Sequence, residues 1–230
     1  MGSDVDFSNG NGGAGGYLAV PDDGRGSGPG LIVIQEWWGL VPHIRDVCDR
    51  FAAEGFVALA PDLYHGETTT EPDEAGKLMM ALNLDQAVAD MSGAIAFLQE
   101  HPATTSDRLG VTGFCMGGGL ALVLAAERPA AFAACVPWYG LIPWEHAQPE
   151  WSNVQAKVRG NFAADDGFFG PDQAAALQQT LRDAGVDAEL KVWPGVDHAF
   201  FNDTRPEVHD AATSAAAWSE TVAFLHAELD

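Results

Sequence analysis

Lysine is nearly missing from this chain: three occur in 230 residues, at Lys77, Lys157 and Lys191. With arginine the basic residues reach 11, against 33 Asp plus Glu, for a formal net charge of −22 and a pI near 4.3. A field of that sign repels phosphate backbones and anionic lipid, which excludes nucleic acid and membrane surfaces as partners. Self-repulsion also works against the compact state in dilute buffer. At 1 M salt the Debye length contracts to about 3 Å and that cost disappears. The composition is therefore the one expected in a high-salt cytoplasm.

Cysteine is scarce and odd in number. Cys48, Cys115 and Cys135 imply no disulfide framework. Cys48 lies in a helix-like apolar stretch and Cys135 in a strand-like run, so both read as small buried core residues. Long apolar runs are absent too. Stretches such as 31–34 fall far short of the roughly 20 residues of a membrane span. No charged n-region with a long apolar h-region opens the chain, so no signal peptide is expected. Asp6 stands where a myristoylation motif needs Ser or Thr. These features predict a cytoplasmic protein.

Apolar residues make up 47% of the chain, enough for a continuous core. Residues 1–16, rich in Gly, Ser, Asn and Asp, read as a flexible lead-in. Beyond it, over 17–230, β-type runs (17–20, 31–35, 56–60, 109–114, 132–138, 157–162, 188–193) alternate with helical spacing (44–53, 84–99, 120–126, 173–184, 211–229). That alternation predicts a single α/β domain: a mostly parallel sheet with helices on both faces. Runs such as 31–34 are apolar throughout, as strands buried on both faces must be.

Parallel sheets collect functional groups at the carboxyl ends of their strands. Glu36, Cys115, Asp165 with Asp166, and His198 each follow a different predicted strand, and so should share one rim. The sharpest local signal is Gly113-Phe114-Cys115-Met116-Gly117-Gly118. This is the G-x-S-x-G turn with cysteine as the middle residue, set between a strand and an apolar helix. Glycines let strand and helix approach closely there, and the helix start aims N–H groups at an anion, which favours thiolate. Nucleophile, acid and histidine follow in the order of the α/β-hydrolase triad. His198 lies in the turn-rich loop Trp193-Pro194-Gly195-Val196-Asp197-His198. Most of the other six histidines, His43, His65, His101, His146, His209 and His226, read as solvent-facing. Either Asp165 or Asp166 could orient the imidazole.

Taken in order, these residues resemble the dienelactone hydrolase (carboxymethylenebutenolidase) family. The resemblance is carried by Tyr17-Leu18-Ala19-Val20-Pro21 and by Gln35-Glu36-Trp37-Trp38-Gly39-Leu40 with Ile44-Arg45-Asp46. It continues through Ala60-Pro61-Asp62-Leu63-Tyr64, the Cys115 turn, Gly160-Asn161-Phe162 with Asp166, and Pro194-Gly195 with His198-Ala199-Phe200. It implies the α/β-hydrolase fold and a Cys115-Asp166-His198 triad, with Asp166 favoured by its spacing from Gly160. It also implies that Glu36 contacts the resting thiol and activates it when substrate binds. Backbone N–H groups of Met116 and Trp37 would form the oxyanion hole. A different reading makes Glu36 a strand-end carboxylate paired with Arg45.

The family's carboxylate-binding arginines have no counterpart in Asp62-Leu63-Tyr64-His65-Gly66 or His198-Ala199-Phe200-Phe201-Asn202, so the natural substrate is not identified. Trp37, Trp38, Tyr64, His65, Trp138, Tyr139, Trp144 and Phe200 are candidates to line the pocket. The expected activity is hydrolysis of a small-molecule lactone or ester, with no cofactor and no metal. A thiol-redox or sensor protein, or a catalytically silent binding protein, are the rival readings. The oligomeric state is not legible.

Overall fold

Strands β3 (Gly30–Ile34), β4 (Val57–Pro61) and β5 (Leu109–Phe114) are buried at every position, and β6 (Phe132–Trp138) at every position but Ala133. Consecutive side chains of a strand point to opposite faces. In β3, Leu31 and Val33 accordingly join one apolar cluster, and Ile32 and Ile34 the other. A strand this apolar demands a layer on each side. Helices α1 (Pro42–Ala53) and α6 (Ala211–Leu229) supply one layer. Helices α3 (Leu84–Glu100), α4 (Met116–Glu127) and α5 (Pro171–Asp183) supply the other. The computed structural model describes residues 2–22, 24, 26–140 and 142–230.

With β1 (Ser3–Ser8), β2 (Gly13–Ala19), β7 (Lys157–Ala163) and β8 (Ala188–Trp193), the sheet has eight strands in the order β1-β2-β4-β3-β5-β6-β7-β8. From β4 through β8 all neighbours are parallel, and β1 and β2 add an antiparallel edge. The carboxyl ends of β3, β5, β7 and β8 therefore lie along one rim. The sheet, its helical layers and the single domain agree with the sequence reading.

The flexible lead-in needs correction. Residues 3–8 pair with 13–18 in a hairpin; Met1 lies outside the described residues. Alternation in Asp4-Val5-Asp6-Phe7 turns Phe7 inward, where its ring stands 5.8 Å from Phe97 of α3. The Asn9 amide also donates to Asp90 of α3 at 2.6 Å. A second difference is α2 (Pro72–Ala81), which buries only Ala75 and so leaves no apolar stripe to read. Among the described residues no helix is long and apolar enough to cross a membrane.

Candidate active site

Cys115 sits between β5 and α4 with φ 54 and ψ −119, a strained conformation for a residue with a Cβ. The flanking glycines explain how the turn closes. A Cβ on Gly113 would stand 2.1 Å from the Gly117 carbonyl oxygen. One on Gly117 would stand 2.4 Å from the carbonyls of Ile34 and Gln35. The Cys115 N–H is tied to the Trp138 carbonyl at 3.0 Å, and the Cys115 carbonyl accepts from Gly118 N–H at 2.9 Å. The sulfur is thereby presented at the rim, at the start of a helix whose first N–H groups have no intrahelical acceptor.

Asp166 and His198 reach the same place from β7 and β8. The His198 Nδ1 and an Asp166 carboxylate oxygen are 2.8 Å apart. The other Asp166 oxygen accepts from the N–H groups of Phe168 at 2.7 Å and Phe169 at 3.0 Å. Asp166 is buried and Asp165 exposed, and it is Asp166 that contacts His198. Burial opposes its charge, but the His198 and backbone N–H bonds outweigh it and hold its pKa below the usual carboxylate range. Burial disfavours the charged His198 ring, yet the bond to Asp166 and the influence of Cys115 and the Asp166 charge prevail and hold its pKa up to about 10.

Glu36, after β3, is 1% exposed and accepts from the Asn202 amide at 2.9 Å. Burial pushes its carboxyl up to about 7 against the opposing pull of His198, Arg205 and Asn202. Arg45 pairs instead with Asp4, so the strand-end pairing with Glu36 does not form. Trp37 and Met116 follow Glu36 and Cys115, as the sequence requires.

The remaining pocket candidates divide. Trp38 lines a cavity of about 480 Å³ with His43, Thr69, Asn202, Thr204 and Arg205. Tyr64 is buried, and its hydroxyl donates to the Met116 sulfur at 3.3 Å. His65, half exposed, lies 3.0 Å from the buried Asp90. Trp138 and Phe200 are corrected to core residues. Both are fully buried, and Trp138 stacks on Phe114 at 5.4 Å and packs against Phe201 at 4.7 Å. Trp144 is also buried. His43 is not solvent-facing: it is 3% exposed and its ring lies 6.4 Å from the Phe201 ring. Burial lowers its pKa to about 4, leaving it neutral.

Asn202 was given no role by the sequence reading, which offered His65, Arg45 or Arg205 as stand-ins for the missing carboxylate-binding arginines. Its signal was position alone, four residues beyond His198 in one loop. Among the described residues no group of three His, Cys, Asp or Glu is arranged to hold a metal ion.

The sequence pattern of the Dienelactone hydrolase family matches residues 14–229. The chain is similar to Protein usf of Aquifex pyrophilus, 40% identical over 231 residues that cover 98% of each chain. It is also similar to an Aquifex aeolicus protein provisionally named carboxymethylenebutenolidase, 36% identical over 98% of each. Among solved structures, a provisionally named dienelactone hydrolase from Klebsiella pneumoniae superposes with a TM-score of 0.86. Its identity is 30%, over 98% of this chain and 99% of that one. With the rim built as described and this match along nearly its whole length, the chain belongs to the dienelactone hydrolase family of hydrolases with the α/β-hydrolase fold.

Proposed function

We propose that this chain hydrolyses a small lactone or ester with Cys115 as nucleophile, His198 as acid and base, and Asp166 as the group that orients the ring. The observation that carries the reading is the Asp166–His198 contact of 2.8 Å, on a ring whose charge Cys115 favours. Asp166 holds one ring nitrogen, which leaves the other for the sulfur and then for the leaving group.

The thiolate attacks the carbonyl carbon, and the Met116 and Trp37 N–H groups receive the oxyanion. One such donor is typically worth about 10²–10³ in rate. Collapse expels the alkoxide, which takes the imidazolium proton and leaves a thioester on Cys115. Water, deprotonated by His198, attacks the thioester. The acid departs and the proton returns to the sulfur.

Glu36 has a second task in this reading. With a pKa about 7 it exchanges a proton near neutrality, as an activator of the resting thiol must. Here Glu36 is held by the Asn202 amide. The cavity beside Trp38 and Arg205 borders the site through Asn202, the partner of Glu36. The acidic composition supports a high-salt working environment.

The test is turnover of an activated aryl ester and of a lactone panel in molar KCl. Cys115→Ala should lose at least about 10³ of kcat, as loss of a triad nucleophile does. Absence of turnover by the parent would favour a silent binding protein. Turnover that survives the substitution would remove Cys115 from the reaction.

A further inference from the structure

One polar group in the cluster is left idle by this chemistry. Tyr139 is fully buried, and its phenolic oxygen has no hydrogen-bond partner among the described residues. A buried hydroxyl normally finds a partner, so its isolation calls for a cause. The backbone is costly at the same residue, with φ 37, held by its N–H bond to the Asn161 carbonyl at 2.6 Å. Strain and an orphaned polar atom together are features of functional positions.

The ring stands edge-on to His198 at 5.0 Å and to Phe200 at 5.6 Å. Burial raises the phenol well above its usual pKa, helped by the charges of Glu36, Cys115 and Asp166 and opposed by Arg205. The hydroxyl is therefore a neutral donor throughout the working pH range. Around the sulfur, Glu36, Asp166 and His198 already have partners. Tyr64, the other nearby phenol, is engaged with the Met116 sulfur. Tyr139 alone among these groups has an uncommitted proton to share.

Resting on the hydrolase reading above, we propose that Tyr139 is a positioning residue whose O–H hydrogen-bonds the Cys115 sulfur once that sulfur has lost its proton. A donor facing an ionised acceptor forms a bond about twice as strong as one facing a neutral group. An O–H kept idle beside the thiol therefore favours the thiolate and fixes its direction of attack.

Tyr139→Phe keeps the ring and its packing and removes only the O–H. The rate of Cys115 alkylation by iodoacetamide, followed against pH in molar KCl with Cys115→Ala as blank, reads thiolate without any ester turnover. The expected result is a midpoint about one pH unit higher in Tyr139→Phe, a tenfold loss of thiolate on the acid side. The acid limb of kcat/KM should move with it, while the melting temperature holds or rises. Superimposable alkylation curves would overturn the proposal. So would a uniform loss of rate with an unmoved midpoint, which marks altered access. A parent that turns over no ester but whose alkylation midpoint still moves would retain the positioning role and remove the hydrolase reading.

Discussion

Glu36 has a titration that bears on both stability and activity. Its carboxyl is buried and titrates at about 7, against 4.5 when unperturbed. Between those values the folded protein holds a proton that the unfolded chain has released. The stabilisation from that proton is complete below about pH 4.5 and is lost as pH rises to 7, a change of about 3 kcal/mol. Glu36→Gln removes the titration and retains a polar group facing Asn202. Denaturant unfolding of both proteins should show the parent's advantage over the variant shrinking by about that amount from pH 4.5 to 7. A difference that stays flat would mean the carboxyl is not desolvated. At this scale the sequence was informative where chemistry follows chain order. Cys115, Asp166 and His198 each follow a strand, and each is brought to the rim. It was less informative where burial depends on distant partners. Nothing local to Trp138 tells that Phe114 and Phe201 will enclose it, nor anything local to Phe200 that Trp138 and Tyr139 will pack on it. Nor does anything near Glu36 announce Asn202, 166 residues away.

At the scale of elements, the strand-turn-helix unit around Cys115 carries the site. Helix α4 is buried along Met116 to Ala126, so it cannot shift outward to relieve a clash at its start. Gly117→Ala places a methyl group 2.4 Å from two carbonyl oxygens. Overpacking of this kind costs about 1–3 kcal/mol, and relief must come from moving the end of β3, which leads into Glu36 and Trp37. Expected outcomes are a melting temperature lower by about 2–10 °C and a larger loss in kcat than in stability. Wild-type activity in Gly117→Ala would show that the close approach is not needed. Elements with continuous apolar strands or a clear helical stripe were legible, and β5, β6, β8 and α6 fall on their expected bounds. Hairpin strand β1 was hidden because polar residues alternate with only Val5 and Phe7, and its pairing is supplied by β2. Helix α2 was hidden because one buried alanine makes no periodic pattern.

At the scale of the molecule, 33 acids stand against 11 bases. All three lysines are already paired: Lys77 with Glu74 at 2.6 Å, Lys157 with Glu228 at 2.7 Å and Lys191 with Glu220 at 2.6 Å. Exposed pairs of this kind contribute at most about 1 kcal/mol each, and the excess of 22 negative charges stays uncompensated. Screening should therefore stabilise the fold. The melting temperature is expected to climb as KCl is raised from dilute buffer to molar levels, and a fall would contradict the high-salt proposal. The parallel sheet does for the site what proximity in sequence cannot, gathering groups at positions 36, 115, 166 and 198 on one edge. The most direct test of that convergence is mass spectrometry of the protein quenched during turnover of an aryl acetate. The account predicts one acetyl group on the peptide containing Cys115, accumulating when His198 is replaced by a residue unable to activate water. Acetylation at another residue, or none in an enzyme that is turning over, would contradict it.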